Sequence, residues 1–146
     1  MRTLIPSETA LVLGGGGAKG SYEVGAIAAL RELGIEAGSV YGVSIGALNA
    51  AMYAQGDMEK AEALWSNVRL SDLIGPESLA LADDAESIYD HPEKALEFIT
   101  RNVQNRGMDV TPLRKLLKTV IDEGAVRRSP VRMALLTTRF PSLNMV

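Results

Sequence analysis

The sequence predicts an α/β fold of three layers, α/β/α, in which a central, mostly parallel sheet lies between helices. Two apolar runs near the start of the chain, at residues 10–13 and 40–41, each lead into a glycine-framed turn and then into a segment of helical character. Strands that alternate with helices are typical of parallel sheets, because a parallel pair needs a crossover connection. With 146 residues, of which 47% are hydrophobic, the chain suits one domain with a substantial core.

The first turn, residues 14–20 (GGGGAKG), follows the first predicted strand. Four consecutive glycines are costly in unfolded-state entropy, and an ordinary turn needs only one or two. Glycines leave backbone N–H groups uncovered by side chains, which suits a loop that binds an oxyanion. The turn therefore predicts a donor loop, and a purely structural glycine turn remains the alternative.

Two nucleotide-binding motifs compete for the same glycines. Gly15, Gly17 and Gly20 fit the G-x-G-x-x-G pattern of dinucleotide-binding domains. That site also needs an acidic residue at the end of the second strand to bind the ribose hydroxyls, and none is present there. A Walker A loop fails because Ala18 precedes Lys19 and Gly20 follows it, where Gly and Ser or Thr are required. A dinucleotide-binding module is therefore the alternative function from another class.

The second turn, residues 42–46 (GVSIG), has the G-x-S-x-G pattern of a nucleophile elbow. In such an elbow the serine occupies a strained bend between strand and helix, and Gly42 and Gly46 remove side chains that would collide there. Residues 45–54 are apolar almost all round and predict a buried helix. Ser44 would lie at the N-terminus of that helix, whose dipole favours developing negative charge. The alternative is a serine that merely caps the helix.

Apolar residues at helical spacing predict four further helices. In chain order their apolar stripes are Tyr22, Ala26, Ile27, Leu30 and Leu33; Met58, Ala61, Trp65 and Val68; Leu96, Ile99 and Val103; and Leu113, Leu116, Leu117, Val120 and Ile121. Gly34 ends the first helix, Asp57 caps the second, Pro92 opens the third, and Thr111 caps the fourth with Pro112 at its first position. At this spacing a tryptophan is a core residue rather than a lipid anchor.

The second half of the chain includes the least regular stretch of the sequence. Residues 71–90 combine an apolar centre with acids and Pro76, and predict either a lid over the active site or a solvated connection. The single histidine, His91, lies at a helix entry, which indicates capping or a surface role rather than catalysis. The apolar run at residues 131–138 predicts a buried strand.

The two glycine turns together resemble the patatin-like phospholipase family of lipid acyl hydrolases. The family's glycine motif, Gly-Gly-Gly-x-(Arg or Lys)-Gly, matches residues 15–20, and its nucleophile elbow matches residues 42–46 in the same order and spacing. The resemblance is sharpest over residues 9–54. It implies a patatin-like fold and hydrolysis of a lipid acyl ester, without a metal or an organic cofactor.

The resemblance also implies a role for each matching residue. Ser44 is the nucleophile. The backbone amides of Gly15, Gly16 and Gly17 form the oxyanion hole. The other matched positions support the two motifs: Lys19, Gly20, Gly42, Ile45 and Gly46. A non-catalytic, lipid-binding relative is the alternative that the resemblance leaves open.

The family's general base, an aspartate followed by Gly-Gly or Gly-Ala, has no counterpart in this sequence. No glycine follows any of its aspartates, which are Asp57, Asp72, Asp83, Asp84, Asp90, Asp109 and Asp122. We therefore expect a Ser-Asp dyad whose aspartate lies outside this chain, so that this segment alone is inactive. Residues 1–8 are then a lead-in, and residues 9–146 are the N-terminal portion of a patatin-like domain. The remainder of the domain or another chain completes the sheet, and an inactive relative is the alternative.

Composition limits the classes of binding partner and the cellular locations that we expect for this protein. Fifteen basic and eighteen acidic residues give a net charge of −3, and the largest basic cluster is the pair Arg127 and Arg128, so the sequence predicts no nucleic-acid surface. The absence of cysteine fits a reducing compartment. The first eight residues are too short and polar for a signal peptide. We expect a lipid or phospholipid substrate, peripheral membrane contact, and a protein that is cytoplasmic or secreted without an N-terminal signal.

Overall fold

The computed structural model describes residues 9–73, 75, 109–139 and 144–145. They belong to two compact units, one formed by the chain up to Asn67 and from Val120 onward, the other by Val68–Thr119. The elements in chain order are β1 (Ala10–Leu13), α1 (Gly20–Glu32), β2 (Ser39–Val43), α2 (Ile45–Gln55), α3 (Met58–Asn67), α4 (Thr111–Val120), α5 (Glu123–Arg128), β3 (Arg132–Leu136), β4 (Thr138–Arg139) and β5 (Asn144–Met145). Short 3-10 turns occupy Gly17–Lys19 and Leu70–Asp72.

A parallel sheet of three strands forms the centre of the first unit, with β2 between β1 and β3. The register aligns Val12 of β1 and Ala134 of β3 with Tyr41 of β2. Helices connect the strands, so the predicted α/β fold with a parallel sheet is confirmed. β4 and β5 form a separate antiparallel pair.

Helix α2 is the core helix of this unit and contacts all three strands of the parallel sheet. Ala50 and Met52 of α2 and Val40 of β2 are each 0% exposed, which confirms the buried helix predicted at residues 45–54. Helix α1 lies on the same face of the sheet, because its Ile27 and Tyr53 of α2 line one small cavity. Two right-handed crossovers that progress in one direction across a sheet place their helices in this way.

Helix α1 buries only part of the predicted stripe, and its buried face includes Val24, which lies outside that stripe. Val24 and Ile27 are each 2% exposed, whereas Tyr22 is 81% exposed and Leu33 is 75% exposed. Val24 and Ile27 lie on the same face of the helix as Gly20, the buried first residue of α1 at the end of the glycine turn. Because α1 packs against α2 and α3, its rotation follows that contact rather than the longest apolar stripe.

The opposite face of the sheet is exposed. Val12, Tyr41 and Leu136 are 80%, 45% and 47% exposed, and alternation along the strands directs them away from α2. The strand predicted near the end of the chain is confirmed as β3, but the prediction that it is buried is wrong, since every residue of β3 is exposed or half-buried. The physical reason is that, within the described residues, β3 pairs with β2 on one side only and α2 covers one of its faces.

Helix α3 begins as predicted, because the Asp57 carboxylate accepts a hydrogen bond from the backbone N–H of Lys60 at 3.0 Å. The third predicted helix, with its Pro92 entry, lies outside the described residues, as do His91 and most of the proposed lid at residues 71–90.

In the second unit, α4 begins one residue earlier than predicted. The backbone N–H of Arg114 donates to the Val110 carbonyl at 2.9 Å, so Val110 rather than Thr111 is the N-cap and Pro112 is the second helical residue. Capping falls to the preceding carboxylate, since Asp109 accepts from the backbone N–H of Thr111 at 2.9 Å. Hydrogen bonds from the Thr111 side chain and then from its backbone hold the pKa of Asp109 below its ordinary value.

Candidate active site

Ser44 occupies a sharp bend between the end of β2 and the start of α2. Its backbone angles are φ 55° and ψ −124°, and among the described residues it is the only non-glycine residue with a positive φ. Such a conformation costs about 1–3 kcal/mol and persists only where the surrounding structure enforces it. The bend leaves the side chain exposed, as a nucleophile elbow requires.

The two glycines of the elbow are required by close backbone contacts. A Cβ atom at Gly42 would lie 2.6 Å from the carbonyl carbon of Gly46, and one at Gly46 would lie 2.5 Å from the carbonyl oxygen of Leu13. Both obstacles are main-chain atoms that cannot rotate away. Gly42 and Gly46 therefore let β1, β2 and α2 meet closely enough to form the bend.

The glycine loop lies beside the elbow. A Cβ atom at Gly15 would lie 3.4 Å from Cβ of Ser44, so this glycine passes directly next to the serine. Gly16 has φ 146° and Gly17 has φ 56°, conformations that other residues rarely adopt. Gly15 and Gly17 are exposed and Gly16 is half-buried, so the loop is accessible from outside.

Lys19 lies against the same loop. Its backbone N–H donates to the Gly16 carbonyl at 3.1 Å, and its aliphatic chain covers Gly16, where a Cβ atom would lie 3.2 Å from Cδ of the lysine. Both contacts fit the supporting role that the resemblance implies.

A buried asparagine joins the glycine loop to the serine helix, and sequence reasoning missed it. Asn49 of α2 is 1% exposed. Its Nδ2 donates to the Gly20 carbonyl at 3.0 Å and to Glu23 Oε2 at 2.9 Å, while its Oδ1 accepts from Trp65 Nε1 at 2.9 Å. The available signal was one polar side chain in a helix that is otherwise almost entirely apolar. Trp65 is half-buried in this cluster, consistent with the predicted core role.

The described aspartates are all engaged in local capping. Each carboxylate accepts a bond from a nearby backbone N–H: Asp57 from Lys60, Asp72 from Arg69, Asp109 from Thr111 and Asp122 from Ala125. The remaining three aspartates, at positions 83, 84 and 90, lie outside the described residues. In the described part of the chain, therefore, every aspartate serves a helix or turn terminus.

No group of three or more His, Cys, Asp or Glu side chains in the described residues is arranged to hold a metal ion. Among the helices in the same residues, none has the length and apolar character needed to cross a membrane.

Comparison with known proteins places the chain near one family. The family model described as patatin-like phospholipase matches residues 11–144. Lysophospholipase nte1 of Aspergillus terreus is 52% identical over 54 residues, which are 37% of this chain and 4% of the relative. Patatin-like phospholipase domain-containing protein ZK370.4 of Caenorhabditis elegans is 50% identical over a segment of the same length. Patatin-like phospholipase domain-containing protein 7 of Rattus norvegicus is 48% identical over such a segment.

These matches cover a small part of each relative. The aligned segment spans 37% of this chain but only 4% of the length of each of these curated proteins. No solved structure matches the chain.

Proposed function

Because the chain belongs to the patatin-like phospholipase family, we propose that it hydrolyses a fatty-acyl ester in a lipid, with Ser44 as the nucleophile. The family is one of lipid hydrolases, and the Aspergillus terreus relative is named a lysophospholipase. The substrate class we propose is a phospholipid. The observation that carries the proposal is the position of Ser44, whose backbone is strained, whose side chain is exposed, and which lies directly beside Gly15.

In the proposed reaction, the Oγ atom of Ser44 bonds to the acyl carbonyl carbon while a carboxylate base takes the hydroxyl proton. The negative charge that develops on the carbonyl oxygen is stabilised by the amides of Gly15, Gly16 and Gly17, and by the N-terminus of α2. The ester C–O bond then breaks, and the leaving alcohol receives the proton from the base. Water attacks the resulting acyl-enzyme, and the base passes the water's proton back to Ser44 as the fatty acid leaves.

We assign the base to an aspartate outside this chain. Each described aspartate is bonded to a backbone N–H near a helix or turn terminus, and no aspartate in the sequence has the family's following glycine. The remainder of the same domain or another chain would supply the carboxylate, and would also pair with the exposed sheet. The reaction as written uses no metal and no organic cofactor, and its lipid substrate would be met at a membrane surface, in the cytoplasm or after secretion.

The test is active-site labelling of the full-length protein with a fluorophosphonate, which forms a covalent bond with an activated serine. We expect labelling at Ser44, with loss of both labelling and ester hydrolysis in Ser44→Ala. Ser21→Ala is a matched control, because this exposed hydroxyl donates to the nearby Ala18 carbonyl and, within the described residues, to no other group. Labelling that persists in Ser44→Ala would exclude Ser44 as the nucleophile, and a protein that binds lipid without Ser44-dependent hydrolysis would be a non-catalytic relative.

A further inference from the structure

The buried amide of Asn49 occupies a position where an apolar side chain would be expected. Helix α2 is buried along most of its length, and its other buried side chains, Tyr53 excepted, are apolar or absent. Burial of an amide is unfavourable unless its hydrogen-bonding groups have partners. Here all the described buried polar side-chain atoms are bonded, and the partners of Asn49 come from two other helices.

The hydrogen bonds fix the orientation of the Asn49 amide. Both Nδ2 hydrogens have acceptors, the Gly20 carbonyl and Glu23 Oε2, while Oδ1 faces the indole N–H of Trp65. A rotated amide would place its NH2 group against the Trp65 N–H and its oxygen against two acceptors. One orientation is therefore strongly preferred.

The same contacts join the two halves of the candidate site. Gly20 is the last glycine of the loop and the first residue of α1, whereas Asn49 belongs to the helix that begins immediately after Ser44. Gly20 is also enclosed by side chains, since a Cβ atom there would lie 2.7 Å from Cη2 of Trp65 and 2.9 Å from Cγ1 of Ile45. Three helices thus meet around Gly20 and the Asn49 amide, close to the loop that passes Ser44.

We propose that Asn49 is a positioning residue that holds the glycine loop at a fixed distance from Ser44, and that Trp65 and Glu23 orient its amide. The inference rests on the proposed function, since the fixed distance matters for an oxyanion that forms on substrate bound to Ser44. Oxyanion donors act only when they are held close to the productive geometry. A displacement of about 1 Å can lower the rate by about 100-fold.

The kinetic test uses Asn49→Asp and Trp65→Phe in the full-length protein. Asn49→Asp keeps the shape but replaces both donated hydrogens by an oxygen, and Trp65→Phe removes the indole N–H while it keeps an aromatic ring. We expect kcat to fall by about 100-fold in Asn49→Asp and by less in Trp65→Phe, with KM nearly unchanged. Adding Glu23→Gln to Asn49→Asp supplies a new donor and should recover part of the lost kcat. Asn67→Asp is the matched control, because that exposed amide donates to the Ala63 carbonyl of its own helix α3.

A second measurement does not depend on turnover. Amide hydrogen exchange over residues 14–24 should accelerate in Asn49→Asp and Trp65→Phe, but not in Asn67→Asp. If Ser44→Ala leaves hydrolysis unchanged, the proposed function fails, and exchange alone then decides whether Asn49 positions the loop. Wild-type exchange in both variants would overturn the inference in that case. If hydrolysis does depend on Ser44, two results would overturn the inference. One is a folded Asn49→Asp variant with wild-type kcat, and the other is a variant in which only the melting temperature changes.

Discussion

The positive φ of Ser44 gives the candidate nucleophile a cost in stability that can be measured. A residue with a Cβ atom is strained at φ 55°, whereas glycine adopts positive φ freely. The strain therefore belongs to the side chain at this position rather than to the bend itself. Two substitutions that both remove the hydroxyl, but differ in the Cβ atom, separate strain from chemistry.

We expect Ser44→Gly to be more stable than Ser44→Ala by about 1 kcal/mol, because glycine relieves the strain at this position. The gain is smaller than the strain itself, because glycine also gives the unfolded chain more conformational entropy. Both variants should lack ester hydrolysis. Urea unfolding of the two proteins gives the difference directly. Equal midpoints would show that the strain relieved by glycine is no larger than its entropic cost in the unfolded chain, and would contradict this expectation.

The glycine loop separates a hydrolase from a dinucleotide-binding module. Gly16→Leu should lower kcat by about 100-fold, because a side chain at φ 146° forces the loop backbone to move and displaces one oxyanion donor, whose loss costs about 3 kcal/mol of transition-state stabilisation. The same strain should lower the free energy of unfolding by about 1–3 kcal/mol, so kcat is measured on the folded variant. Gly25→Leu is the control, because Gly25 is exposed in α1 with no atom near its Cβ position. A rise in melting temperature with NAD or FAD, and none with an acyl phosphonate, would favour the dinucleotide module.

At the scale of single elements, the start of α3 depends on one side chain. Asp57→Ala removes the acceptor for the backbone N–H of Lys60 and should cost about 1 kcal/mol in the free energy of unfolding. Asp57→Asn keeps an oxygen at the same place and should cost much less. Denaturant unfolding measures both. An asparagine variant as unstable as the alanine variant would show that charge, rather than the hydrogen bond, matters here.

The elements that sequence reasoning located well are those with local signals. The two strand–turn–helix segments and the cap at Asp57 are encoded within a few residues, and each lies where it was predicted. The short helix α5 was not predicted, although Asp122 caps it with a bond to the Ala125 N–H, because six residues show little periodicity. The buried face of α1 and the role of Asn49 depend on which helices become neighbours, and helical spacing alone does not contain that information.

In the candidate site, too, local motifs were predicted and contacts between distant residues were not. The roles proposed for Ser44 and for the loop glycines came from the family resemblance of the two motifs, and the structure places Gly15 next to Ser44. The Asn49 cluster could not be derived, because its partners lie 16 to 29 residues away along the chain. The strand β3 was predicted but its exposure was not, because a run of apolar residues indicates a strand without showing what covers it.

For the whole molecule, the exposed apolar face of the sheet predicts association. We expect the 146-residue chain produced alone to be poorly soluble or self-associated, since Val12 and Leu136 are 80% and 47% exposed and the edge of β3 is unpaired within the described residues. We also expect it to hydrolyse no short-chain p-nitrophenyl ester. Light scattering and an esterase assay check the two expectations.

A matched substitution tests the cause of association. Leu136→Lys should increase the soluble fraction with little loss of stability, whereas Leu13→Lys, at a position only 7% exposed, should unfold the protein. Soluble, monomeric wild-type chain would contradict the expected association. Ser44-dependent turnover by that monomer would show that the base lies within this chain, and Asp57, Asp109 and His91 would then be substituted in turn.

The pairing of β2 with β3 has a consequence for the order of events during synthesis. Val40 is aligned with Met133, although most of the chain lies between them, whereas β1, the glycine loop, the elbow and the Asn49 cluster are all complete by Trp65. A ribosome releases the chain from its N-terminus, so these parts can assemble while β3 has not yet been translated. During that interval one edge of the central strand β2 is unpaired. The bend at Ser44 can therefore form early during synthesis, whereas the pairing of β2 with β3 has to close a long loop and is the slower step.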